Sequence, residues 1–134
     1  MDIKINFKGG KMVEAEFEDI RIMTDQSIKH GGEGTAPEPF AYYLASIGTC
    51  AGVYILGFCQ ARQISSEGIS LIQHNTFIPP PPGKPGLVKI SLEIIVPPAF
   101  PEKYLDALIR VADQCAVKKS ILNPPEFEIK VSKE

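Results

Sequence analysis

From Phe40 to Cys59 the chain carries no Asp, Glu, Lys or Arg over 20 consecutive residues. A run of that length, read as a helix, either crosses a bilayer or is wrapped by the rest of a fold. Glu38 upstream and Arg62 downstream do not give the basic flank that orients a span. Inside the run lie Tyr42, Tyr43, Ser46, Thr49 and Tyr54, together with the small residues Ala41, Ala45, Gly48, Ala51 and Gly52. Gly48 and Gly52 are four apart, the spacing that lets another backbone approach a helix closely. The segments on either side alternate as amphipathic strands that need a core to pack on. The run therefore reads as a buried central helix, apolar nearly all round, and no membrane span is expected.

The flanks supply the strands. Ile3, Ile5 and Phe7 alternate with polar residues, Gly9-Gly10-Lys11 makes a turn, and Val13, Ala15 and Phe17 resume the period-two pattern. A third strand is expected at 20–23 after a bend at Glu18-Asp19. Residues 24–39 form a long loop rich in Gly and Pro, of a length that is often functional and that reads equally as a plain connector. Past the helix, Ile69 to Ile78 and Leu87 to Val96 read as a strand pair. The Pro79-Pro80-Pro81-Pro82 run between them is a stiff hairpin loop rather than a polyproline recognition ligand. A helix begins near Pro101-Glu102 with the stripe Leu105, Leu108, Ile109 and Ala112, leading to Cys115. Helical structure ends at Pro124-Pro125, and Phe127, Ile129 and Val131 alternate as a last strand. Strands cluster rather than alternate with helices, so the class is α+β with mainly antiparallel sheets.

At 134 residues one domain, 1–134, is expected. The net charge of −2 and pI near 5.7 lack the basic footprint of a nucleic-acid binder. Met1-Asp2-Ile3-Lys4 has no basic leader pattern, so a cytoplasmic location is expected.

Cys50, Cys59 and Cys115 are too few and too scattered for a disulfide scaffold, and no CxxC or Cys/His spacing suggests a metal. Free cysteines are usually buried hydrophobes, which is the plain reading of each. Cys50 and Cys59 are nine positions apart and face opposite sides of a helix, so only Cys115 could partner either. Lys118 and Lys119 lie within a turn of Cys115, and nearby cations favour a thiolate. Paired thiols can attack a peroxide and close a disulfide. His30 reads as a solvated loop histidine.

Gly34-Thr35-Ala36-Pro37-Glu38-Pro39-Phe40, continuing through Leu44-Ala45-Ser46-Ile47-Gly48-Thr49-Cys50, resembles the signature of the OsmC/Ohr family of osmotically inducible and organic-hydroperoxide-resistance proteins. Thr24-Asp25-Gln26, Gly31-Gly32 and Cys115-Ala116-Val117 are similar to further family features. The resemblance implies an OsmC-like α+β fold, with antiparallel sheets packed around the long helix in an intertwined homodimer. It implies a thiol-dependent peroxidase acting on organic hydroperoxides or hydrogen peroxide in oxidative-stress defence. No cofactor is implied, and a cellular dithiol would be the reductant. Carried over, Cys50 is the peroxidatic thiol and Cys115 the resolving one, with Lys11, Glu38, Phe40 and Tyr43 as substrate contacts; Cys59 stays in the core. Two positions depart from the peroxidases. Their helix Glu is Ala41 here, and their hairpin Arg is best matched by Lys11. The chain thus resembles the less characterised OsmC-like branch. Thiolate activation would fall to Lys11, Lys118 or the helix dipole. The competing reading is a non-catalytic dimer of the same fold that binds a small apolar ligand.

Overall fold

Alternation in the first twenty-four residues produces three antiparallel strands, β1 (Lys4–Gly9), β2 (Met12–Phe17) and β3 (Ile20–Thr24), in the order β1-β2-β3. The computed structural model describes residues 1–133. It forms two compact units, Met1–Ala45 and a second beginning at Ser46. In the first, Ala15 pairs with both Ile5 and Ile22. Gly9 and Gly10 turn the chain with φ of 103° and 58°, values that disfavour any side chain. The polar face of the sheet is a network. Buried Glu14 accepts from Asn6 Nδ2 at 3.2 Å and pairs with Arg21 at 3.2 Å. The apolar face is not covered as the alternation implied. Ile5 is 55% exposed and Phe7 87%.

The loop after β3 is tied around Asp25, which is 1% exposed. Its carboxylate accepts from the Gln26 amide at 2.7 Å, the Thr35 amide at 3.0 Å and the Thr35 hydroxyl at 2.7 Å. These donors hold its carboxyl below the usual range, the Thr35 hydroxyl most. Gly32 has no alternative, since a Cβ there would run into the Gln26 carbonyl.

Proline opens α1 (Pro39–Ala61), where its missing N–H costs nothing. The helix ends where Gln63 turns to φ 55° and the Ile64 amide reaches back to the Cys59 carbonyl at 2.9 Å. The uncharged run is therefore helical as expected, but it is not buried all round. Only Ile47, Ala51, Ile55, Phe58 and Cys59 are buried, one stripe, while Val53 is 65% exposed and Leu56 40%. By length and hydropathy this is the one helix among the described residues that could cross a membrane. Its stripe packs instead into a core of Ile55, Phe58, Cys59, Phe100 and Leu108.

In the second unit, β4 (Ser70–Phe77) and β5 (Leu87–Ile95) form an antiparallel hairpin with His74 opposite Ser91. The proline run is its loop, closed by the Ile78 amide on the Gly86 carbonyl at 2.8 Å. Gly48 of α1 faces β4, where a Cβ would clash with the Gln73 side chain. It thus admits a side chain rather than the backbone expected, and Gly52 has open space. A turn of 3-10 helix leads into α2 (Leu105–Ala112), which buries Leu108.

Two differences from the sequence reading matter for function. The helix leading to Cys115 breaks at Asp113, and Cys115, with φ −47° and ψ 124°, caps a separate α3 (Ala116–Leu122). The last strand is absent among the described residues. Phe127, Ile129 and Val131 alternate but are 83%, 95% and 94% exposed, and no strand among the described residues pairs with them.

Candidate functional site

Helix α1 carries Cys50 at mid-length, and the break after α2 sets Cys115 at the mouth of α3. Both thiols are free, and the Cys115 S–H donates to the Ile47 carbonyl at 3.8 Å, one turn before Cys50 on α1. Around this contact the first turn of α3 presents its unpaired amides. The Val117 and Ala116 amides donate to Cys50, and the Lys118 amide to the Cys115 sulfur at 3.4 Å.

The two thiols are thereby made unequal. The Val117 amide above all, then the Cys115 thiol and the Ala116 amide, hold Cys50 below the ordinary thiol range against the opposing effect of burial. Burial pushes Cys115 up, and the neighbouring Cys50 thiol adds to this. Half-buried Cys50 is therefore the more readily ionised of the two, and Cys115, which is 2% exposed, the one that keeps its proton longer. That arrangement suits nucleophilic attack by Cys50, followed by condensation with Cys115.

Cations near the pair do not supply the activation. The Lys118 ammonium is bound to Asp113, so it is the Lys118 backbone that touches sulfur. An apolar cavity of about 330 Å³ adjoins the pair through Ile47 and Lys118 and is walled by Ile90, Leu92, Ile94, Ile109 and Ile121. Cys59 is fully buried, and burial raises its thiol, as suits a core residue.

The other candidates lie in the first unit. Glu38 serves the loop: its Oε1 accepts from the Ser27 amide at 2.9 Å and binds His30 Nδ1 at 2.6 Å. The Ser27 amide first, and His30 next, pull its carboxyl down to about 2. His30 is thus paired rather than merely solvated. Phe40 and Tyr43 pack together with ring centres 5.2 Å apart. Tyr42 ties its hydroxyl to the Met23 carbonyl at 3.0 Å. Lys11 is exposed in the first turn, with its Cε near Gly31. No cluster of three metal-ligating side chains exists among the described residues.

Sequence reasoning missed the amides of Ala116 and Val117, the Asp113–Lys118 pair and the cavity wall from β5. Backbone donors leave no mark on residue type. The one available signal was Cys115 just before a short segment rich in helix formers, a position open to a capping residue.

Residues 32–130 match the family described as OsmC-like protein. Among solved structures, the chain is similar to an OsmC-like protein from Mycoplasma pneumoniae, at 20% identity and TM-score 0.73, covering 92% of this chain and 87% of that one. An OsmC-like protein of unknown function from Vibrio cholerae aligns at 14% identity and TM-score 0.71, covering 89% and 91%. An organic hydroperoxide resistance protein from Legionella pneumophila aligns at 20% identity and TM-score 0.60, covering 90% and 89%. At such identities the likeness is one of fold. No curated protein matches the chain.

Proposed function

The chain belongs to the OsmC-like family, and from that premise we propose that it is a thiol peroxidase using Cys50 and Cys115 in defence against oxidative stress. The Cys50 thiolate attacks the distal oxygen of a hydroperoxide ROOH. The O–O bond breaks, Cys50 becomes a sulfenic acid, and RO⁻ takes up a proton and leaves as alcohol. The Cys115 sulfur then attacks the Cys50 sulfur. An S–S bond forms, and the sulfenic hydroxyl leaves with the thiol proton as water. A cellular dithiol reduces the disulfide, so each turnover consumes one peroxide and one dithiol and yields alcohol, water and oxidised dithiol.

The observation that carries this reading is the seating of Cys115 against α1, its S–H on the Ile47 carbonyl one turn before Cys50, with the two thiols biased in opposite directions. The adjoining apolar cavity supports an organic R group over hydrogen peroxide alone. Ala41 and Lys11, which replace the peroxidases' Glu and Arg, make the α3 amides the activating groups. The exposed apolar residues of β1, the outer face of α1 and the segment 127–131 support a homodimer that covers them. A soluble, cytoplasmic setting accords with reduced thiols.

The test is to treat the reduced protein with cumene hydroperoxide, map disulfides by mass spectrometry, and follow turnover with dithiothreitol. A Cys50–Cys115 bridge and peroxide consumption that is lost in Cys50→Ser are expected. Consumption unchanged in Cys50→Ser, or no bridge after oxidation, would overturn the proposal.

A further inference from the structure

A second hollow, of about 560 Å³, has a different chemistry from the cavity beside the thiols. Tyr54, Phe58 and Arg62 recur every four residues along α1 and just beyond it, so they share a face. Ala107, Arg110, Val111 and Gln114 recur at the same helical spacing on and just past α2, and Lys119 joins them from α3. Three cations thus converge on one hollow, and no Asp or Glu lines it. Among the described residues none of the three forms an ion pair. Arg62 is held in place, stacked 3.7 Å above the Phe58 ring and donating to the Phe58 carbonyl at 3.4 Å.

Three like charges gathered without a carboxylate repel one another unless an anion joins them. Two guanidinium forks match the oxygens of a phosphate group, and a single carboxylate would leave part of the charge unmet. Ala107 and Val111 add an apolar wall, and Tyr54 and Gln114 add neutral hydrogen-bonding groups. We propose that this hollow is a binding site for a phosphate-bearing molecule, separate from the thiol pair. None of its cations takes part in the peroxidase chemistry, so the site stands or falls independently of that activity.

Titration of the full-length protein with sodium pyrophosphate by isothermal calorimetry tests it. Saturable binding at one per chain, with Kd below about 1 mM, is expected. Arg110→Ala and Lys119→Ala should each weaken it about tenfold or more, whereas Lys8→Ala, which removes a cation outside the hollow, should leave it unchanged. Arg110 and Lys119 are exposed, so both variants should keep the parent's thermal midpoint. Raising salt from about 0.05 to 0.3 M should weaken binding. Co-sedimentation with phosphatidylglycerol vesicles separates the sources. Pyrophosphate binding without vesicle binding assigns a free phosphate ester, and vesicle binding displaced by pyrophosphate assigns a lipid headgroup. Absence of binding at about 5 mM pyrophosphate, or binding that survives both substitutions, overturns the proposal.

Discussion

Replacing Ala116 by proline removes one of the two backbone donors on the Cys50 sulfur and little else. Ala116 is the first residue of α3, a position whose N–H has no partner within the helix and where proline is favoured. The preceding residue, Cys115, already has the extended ψ of 124° that proline demands of its neighbour. The Val117 amide, the larger influence on Cys50, and the Lys118 amide on Cys115 are retained. A hydrogen bond to a charged group contributes about 1.5–3 kcal/mol, and the Ala116 amide, the smallest of the influences on half-buried Cys50, is placed at about 0.5–1 kcal/mol. That is a loss of about 2- to 5-fold in the equilibrium favouring thiolate over thiol. The sign follows directly: a lost donor destabilises the anion, so Cys50 ionises at higher pH in Ala116→Pro than in the parent. The assay is the rate of Cys50 alkylation by iodoacetamide across pH, followed on the Cys50 peptide by mass spectrometry because buried Cys59 and Cys115 react slowly. A profile displaced to higher pH, with an unchanged thermal midpoint, is expected. A superimposable profile in a variant that folds normally would show that the α3 amides do not hold the thiolate, and the account of activation would be wrong.

Glu38 gives a pH prediction. Its carboxyl lies at about 2 in the folded chain against an ordinary 4.5, so its bonds to Ser27 and His30 stabilise the loop above pH 4.5. That contribution fades as pH falls through about 2; protection of the Ser27 amide from exchange should decline over this window in the parent and be low throughout in Glu38→Gln. Leu108→Ala should cost about 2–5 kcal/mol in urea unfolding, because its side chain is 1% exposed in the core with Phe58 and Phe100; a loss below about 1 kcal/mol would mean that this core is not the one that holds the second unit together. Val53→Glu places a charge on the open face of α1, so sedimentation should find the parent dimeric and the variant shifted to monomer.

Much of this was legible in the chain itself. Strand periodicity gave β1 to β5 within a residue or two, because a sheet face alternates whatever it packs on. Pro39 and the uncharged run located α1 for similarly local reasons. The terminal alternation at Phe127, Ile129 and Val131 shows where local reading stops. The pattern is as good as that of β1, yet a strand exists only when another edge accepts its hydrogen bonds. The same limit applies to α1, whose composition called for cover on every side and whose own chain covers one stripe.

Residue types alone determined that two thiols were available on separate elements and that only Cys115 could partner Cys50. They did not determine which thiol ionises more readily. That was decided by the break at Asp113, which turned Cys115 into a helix cap and aimed the amides of Ala116 and Val117 at Cys50. Lysines visible in the sequence suggested activation by side-chain charge, but Lys118 is occupied by Asp113. The physical reason is general. Side chains are written in the sequence, whereas the direction of a backbone N–H exists only once tertiary contacts have ended one helix and begun another.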